Sequence, residues 1–151
     1  MQFKGEVNLA PRPEQAWTRL SDVRFLVQCI PGAEKISEAT ETRAVCVLRP
    51  GFAFVRGTLE VVIQRSSADA DKKQLGFTVT SKGVGSSSEV VSVMDLAEHE
   101  GGTRVHWSAD IQKLGGLLKA VPAGLIRGAA QKTIGDVWAR VTTRLDEESK
   151  T

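Results

Sequence analysis

Alternation of apolar and polar residues predicts an antiparallel sheet over most of the chain. In the first strand, 2–9, Phe3, Val7 and Leu9 share one face, and polar residues occupy the other. Turn-forming residues recur at spacings of roughly 8–12 residues, which favours a meander over βαβ units. Further strands are predicted at 33–39, 42–48, 54–65, 73–81, 89–97 and 103–112, with turns at 68–71, 83–85 and 100–102. The strand at 33–39 has the weakest pattern and is expected at a sheet edge.

Helical spacing appears in three places. Two short helices are predicted at 14–20 and 23–28, with Pro13 in the first turn of one and Ser21 or Asp22 capping the other. The stretch 114–148 predicts one long amphipathic helix, because apolar residues recur every three or four positions. Gly115, Gly116 and Pro122 leave two interpretations open: a flexible gate early in this helix, or a regular helix that begins only near Pro122, with Gly115 and Gly116 in a loop before it.

This order of elements predicts an α+β fold in a single domain covering 1–151. A curved antiparallel sheet of about seven strands carries the long helix across it, over an apolar cavity, and the short helices close one end.

Composition removes several classes of function. The 151 residues are 41% hydrophobic and 25% charged, and the net charge is +2, so nucleic acid is not an expected partner. No stretch of about 18 apolar residues predicts a membrane span. Cys29 and Cys46 are interpreted as buried hydrophobes in a reducing, cytoplasmic setting. His99 and His106 lack ligand partners at metal-binding spacing, so no metal and no cofactor is expected.

Five short motifs occur in order along the chain. They are MQFKGE at 1–6, PEQAW at 13–17, CIPG at 29–32, VRGTL at 55–59 and GGTRV at 101–105. Together they resemble the family of carbon monoxide dehydrogenase G-subunits, and CIPG is the most specific of them. The likeness runs from residue 1 to about residue 145. The connection at 49–54 is more apolar than is usual in the family.

The resemblance implies the helix-grip fold of the START-like, Bet v 1-like (SRPBCC) superfamily. It also implies non-catalytic binding of an apolar small molecule, such as a quinone or a lipid-like compound. The implied partner is a molybdenum-containing dehydrogenase of the carbon monoxide dehydrogenase type. This protein would act in the recruitment or assembly of that enzyme, or in its electron transfer. Longer members carry a membrane-associated C-terminal extension, so a chain ending at Thr151 is expected to make at most peripheral membrane contact, at the inner face of the membrane. Its oligomeric state stays open.

Two alternatives stay open beside this interpretation. One is an enzyme resembling polyketide cyclases or aromatases, which a buried Asp95 or Arg56 would favour. The other is a ligand-free protein-interaction domain, which a collapsed groove would favour. No acid–base pair stands out in the sequence for general catalysis.

The expected ligand site consists of apolar residues facing the space between sheet and helix. Phe52 and Phe54, in a loop bounded by glycine and proline, are the expected gate. The predicted lining residues are Trp17, Phe25, Leu26, Val61, Ile63, Phe77, Val79, Val93, Trp107, Ala109, Leu117, Leu118, Val121, Leu125 and Ala129.

Overall fold

A computed structural model describes residues 1–150 as seven strands and three α-helices. The strands are β1 (Gln2–Leu9), β2 (Ala33–Ala39), β3 (Arg43–Leu48), β4 (Leu59–Asp69), β5 (Gln74–Gly83), β6 (Ser86–His99) and β7 (Gly102–Gly116). The helices are α1 (Pro13–Leu20), α2 (Val23–Val27) and α3 (Ala123–Ser149), and a 3-10 turn at Leu117–Ala120 precedes α3.

The strands form one antiparallel sheet in the order β1-β7-β6-β5-β4-β3-β2. Consecutive strands from β2 to β7 are neighbours, which confirms the predicted meander, and β2 lies at an edge as expected. With α3 across it, this is the predicted helix-grip fold.

The short helices close one end of the sheet. Pro13 starts α1, and the Asp22 carboxylate caps α2 by accepting a hydrogen bond from the Arg24 amide at 2.9 Å. Hydrogen bonds from the Arg24 side chain also lower the pKa of Asp22. The Arg65 guanidinium, on β4, donates to the carbonyl of Ser21 at 2.7 Å and so ties the junction of α1 and α2 to the sheet.

The strand predicted at 54–65 begins late. β4 starts at Leu59 and continues to Asp69, because Gly57 has φ +83° and interrupts extended backbone before it. Residues 49–58 therefore form a connection between β3 and β4.

The long helix predicted at 114–148 is wrong at its start. β7 continues to Gly116 because Leu114 pairs with Ser88 and Gly116 pairs with Ser86. Gly116, with φ +62°, ends the strand, and α3 begins at Ala123 directly after Pro122. The interpretation that placed the helix start near Pro122 is confirmed, but the two glycines lie in a strand and not in a loop.

The core lies between the inner face of the sheet and the helices. At the closed end Leu75, Val105 and Leu20 are fully buried. The last turns of α3 dock there, with Val141 and Leu145 each 1% exposed. The Arg140 guanidinium donates to the carbonyl of Ile30 at 3.2 Å, and the Arg19 guanidinium pairs with Glu148. The C-terminal half of α3 is thereby held against α1 and α2.

Candidate functional site

The inner face of the sheet is not covered uniformly. Phe77 on β5 is 2% exposed, whereas Val79, two residues further along the same face, is only half-buried. Its cross-strand neighbour Val90 is half-buried too, and so is Ile111, the partner of Val90 on β7. These strands lie inside the sheet, so their inward side chains are reached by solvent only through a gap above them.

The helix shows the same gap from above. Its inward stripe runs 126, 130, 134, 137, 141 and 145, at steps of three and four residues. Ile126 is 6% exposed at one end and Leu145 is 1% exposed at the other. Ala130, Ile134 and Val137 in between are only half-buried. Val137 and Trp138 still pack against the core, so the helix is least covered around Ala130 and Ile134.

These two sets of residues define a groove. Its floor is formed by Val79, Ser81, Ser88, Val90, Ile111 and Leu114, and its roof by Ala130, Ile134 and Val137. Such a space, mainly apolar with a few polar groups, suits a small apolar ligand.

An aromatic pair bounds the groove toward the closed end. The rings of Trp107 and Trp138 stack with centroids 6.4 Å apart. The indole of Trp107 lies over Gly5 on β1, where a Cβ would come within 2.7 Å of Cζ2. Glycine at position 5 therefore makes room for the indole that ends the groove.

The floor of the groove contains one pair of polar side chains. The hydroxyls of Ser81 and Ser88 lie 2.5 Å apart across β5 and β6. One hydroxyl donates to the other, which leaves the second O–H available to the groove. A ligand oxygen would accept a hydrogen bond from this O–H.

The fifteen predicted lining residues divide into several groups. Val61, Ile63, Phe77 and Ala109 face inward and are buried, and Val79 and Trp107 face inward and are half-buried. Three others lie in the short helices, Phe25 and Leu26 buried and Trp17 half-buried under the Lys73 ammonium. Among those near the start of α3, Leu118 is buried, and Val121 and Ala129 are half-buried.

Three predicted residues do not join this set. Val93 pairs with Gly76 and Ser108, so it lies on the outer face of the sheet. Its neighbour Ser92, which pairs with Phe77, lies on the inner face. Leu117 and Leu125 are 65% and 55% exposed. In the 3-10 turn Leu118 is the buried side chain and Leu117 is the exposed one, and in α3 Leu125 precedes the inward position 126 by one residue.

Most residues of the groove floor were not among the lining residues predicted from the sequence. Val90 and Ile111 were visible as alternating strand residues, but their place beside Val79 depends on register. The two serines carried no apolar signal at all. Ala130, Ile134 and Val137 belonged to the predicted helical stripe, yet periodicity gives no measure of how closely each position packs.

The expected gate residues form a stacked pair. The rings of Phe52 and Phe54 lie 5.7 Å apart with planes inclined by 7°. They stand in the connection between β3 and β4, at the end of the sheet where the groove is open.

Ionisable groups are scarce on the inner face. Arg56 and Asp95, whose burial would favour an enzyme, are both exposed. Burial raises the pKa of the Cys29 thiol and that of Cys46, so both stay protonated and unreactive at neutral pH. Within residues 1–150 no three His, Cys, Asp or Glu side chains are grouped to hold a metal ion.

Two depressions with charged residues in their linings lie outside the groove. One, of about 400 Å³, is on the outer face of the sheet among Lys4, Glu6, Asp95 and His106. The other, of about 510 Å³, lies between α1 and the end of α3. Their charged linings do not suit an apolar ligand.

The chain is similar in sequence to one protein family and in structure to several solved proteins. The sequence model of the carbon monoxide dehydrogenase G-subunit family (CoxG) matches residues 5–146. A conserved protein from Geobacillus kaustophilus has a similar structure, with a TM-score of 0.84 and 20% identity, over 97% of this chain and 96% of that one. Comparison with curated proteins gave no match.

Two further solved structures share the fold at lower identity. A START superfamily protein from Mycobacterium smegmatis has a TM-score of 0.70 and 11% identity, over 97% of each chain. Ara h 8.0201, a Bet v 1-like protein, has a TM-score of 0.60 and 16% identity, over 93% of this chain and 94% of that one. None of the 150 described residues forms part of a helix long and apolar enough to cross a membrane.

Proposed function

Because the chain belongs to the CoxG family of carbon monoxide dehydrogenase G-subunits, we propose that it binds an apolar small molecule in the groove, as a non-catalytic accessory protein. The observation that carries this proposal is the inward stripe of α3, which is buried at Ile126 and Leu145 but only half-buried at Ala130, Ile134 and Val137. A core packed along the whole helix would bury these three positions too.

Binding would follow from desolvation of the ligand. Each Å² of apolar surface removed from water is worth about 25 cal/mol, so a ligand burying about 200 Å² gains about 5 kcal/mol before the cost of association. Quinones and lipid-like compounds have enough apolar surface for this. The family name supports a role beside a molybdenum-containing dehydrogenase of the carbon monoxide dehydrogenase type, in recruitment, assembly or electron transfer.

Native mass spectrometry of freshly purified protein tests the proposal directly. We expect a stoichiometric adduct, and an organic extract of the same sample analysed for quinones and lipids would identify it. Protein that stays bare after incubation with quinones and fatty acids would contradict the proposal and favour a protein-interaction role.

The serine pair should make the groove select for a hydrogen-bond acceptor. We expect the double variant Ser81→Ala/Ser88→Ala to bind 1-acetylnaphthalene about three- to tenfold more weakly, since one net hydrogen bond is worth about 0.5–1.5 kcal/mol. Its affinity for 1-ethylnaphthalene, which has a similar shape and no carbonyl, should not fall. Equilibrium dialysis measures both.

The matched control is Ser66→Ala/Ser67→Ala, two exposed serines at the far end of β4. This variant should bind both compounds like the wild type. An equal loss of the two compounds in the Ser81/Ser88 variant would mean that the pair shapes the floor and does not contact ligand oxygen.

A further inference from the structure

Arg127 occupies a position on α3 that faces the sheet. It precedes Ile134 by seven residues and Leu145 by eighteen, which are about two and five turns of an α-helix. The three side chains therefore leave the helix on the same side, and Leu145 on that side is 1% exposed. Such a position normally carries an apolar residue, because a charge that points toward a core needs a partner.

The guanidinium of Arg127 lies against the sheet beside the groove. Its Cζ atom is 5.4 Å from the centre of the Phe3 ring on β1, and Phe3 is itself 7% exposed. Phe3 pairs with Ala109 on β7, and Ile111, two residues further along β7, belongs to the floor of the groove. The guanidinium is therefore placed between the edge strand β1 and the roof residue Ala130, which follows one turn later on α3.

The N–H groups of Arg127 have no hydrogen-bond or ion-pair partner within residues 1–150. Eight of the eleven arginines in the chain do have a carboxylate, carbonyl or amide oxygen as partner. The residues one turn away on the helix include no acid and are Ala123, Gly124, Ala130 and Gln131. A cation–π contact uses the positive charge of a guanidinium and leaves its five N–H donors free for a further partner.

We propose that Arg127 binds the carboxylate of an amphipathic acid whose apolar body lies in the groove. The planar guanidinium fits a carboxylate through two parallel hydrogen bonds, and the Phe3 ring holds it in place before the ligand arrives. This assignment names the chemical class of the ligand and rests on the proposed function. It also gives a reason for a charge at a position of α3 that otherwise faces the sheet.

The extent of the floor indicates the length of such an acid. Ser88 lies on β6, two strands from β1, and about four residues further along the sheet than Phe3. With strands about 4.8 Å apart and a rise of about 3.4 Å per residue, the floor between Phe3 and Ser88 is roughly 15–20 Å long. A long alkyl chain fills that length, and a single ring does not.

Equilibrium dialysis with dodecanoate and 1-dodecanol tests the proposal, because the two compounds share an alkyl chain and differ in charge. Arg127→Met should bind dodecanoate about ten- to a hundredfold more weakly, which is the usual effect of hydrogen bonds to a charged group. Its affinity for 1-dodecanol should not fall. Methionine has a long unbranched side chain that still covers Phe3, so the Tm should stay close to that of the wild type.

Two further variants separate the position of the charge from its presence. Arg127→Lys should bind dodecanoate with an affinity between those of the wild type and Arg127→Met, because an ammonium keeps the charge without the two-pronged geometry. Lys132→Met is the matched control on the exposed side of the same helix, where Lys132 pairs with Asp136. It should bind both compounds like the wild type.

Three outcomes would overturn the role of Arg127. Equal losses of dodecanoate in Arg127→Met and Lys132→Met would mean that net charge, and not this position, attracts the acid. Equal losses of dodecanoate and 1-dodecanol in Arg127→Met would mean that the arginine only shapes the groove. Wild-type protein that binds 1-dodecanol and not dodecanoate would exclude the acid and leave the proposed function intact, whereas protein that binds neither compound and no quinone would contradict both.

Discussion

Leu145→Ala should destabilise the protein by about 3 kcal/mol, because Leu145 is 1% exposed where the end of α3 meets the closed end of the sheet. Truncating a buried leucine costs about 2–5 kcal/mol, from lost burial and from the cavity left behind. For a chain of this size, a loss of that order lowers Tm by about 10 °C. Thermal and urea unfolding, followed by circular dichroism, measure the change.

Leu125→Ala is the matched control for this prediction. It makes the same substitution in the same helix, but Leu125 is 55% exposed, so we expect a change below about 0.5 kcal/mol. Similar losses in the two variants would mean that the burial of Leu145 does not account for its contribution to stability.

Ala130→Trp should reduce ligand binding about a thousandfold and leave stability nearly unchanged. Ala130 lies in the middle of the inward stripe, where the roof of the groove is half-buried. A tryptophan side chain there would occupy about 150–250 Å² of apolar contact that a ligand would otherwise make. At about 25 cal/mol per Å², this is at least about 4 kcal/mol. Titration with the ligand identified by mass spectrometry gives the affinity.

The free energy of unfolding of Ala130→Trp tests whether the groove is open without the need for a ligand. Forcing a large side chain into a packed core costs about 1–3 kcal/mol, whereas an open groove accepts it with only the small loss in helix propensity. Ala139→Trp, on the exposed face of α3, is the control for that propensity and should bind ligand normally. A large destabilisation by Ala130→Trp alone would mean that sheet and helix are in contact there.

The two ends of the groove are built differently. The C-terminal half of α3 is fixed by Val141, Leu145 and the ion pair of Arg19 with Glu148, and the short helices seal the same end. The other end combines strand ends, a 3-10 turn and the first turn of α3. Rigid packing at one end therefore coexists with an opening at the other, where a ligand would enter.

Strand content and order were accessible from the sequence because alternation is a local property. Val105, Trp107 and Ala109 fall on the same face in any antiparallel sheet, and the predicted meander and edge strand are confirmed. The boundaries were less accessible. Leu114 to Gly116 were predicted as the start of the long helix, and they are strand because residues 86–88 of β6 pair with them.

Face assignment fails wherever it depends on a partner strand. Val93 alternates as cleanly as Val79, yet pairing with Gly76 and Ser108 places it on the outer face. A shift of one residue in register exchanges the two faces of a strand completely. No pattern within β6 alone could have indicated which of its two apolar sets would face α3.

Local periodicity, turn-forming residues and the five ordered motifs were enough to indicate the strands, the short helices and the family. Each of these signals depends only on residues that are close together in the sequence. The groove and its serine pair came only from the tertiary structure. Ser81 meets Ser88 across a hairpin, and Val84 meets Gly57 across 27 positions of chain. Whether the middle of α3 touches the sheet depends on how both of its ends dock, and that is a property of packing between distant elements that sequence periodicity does not contain.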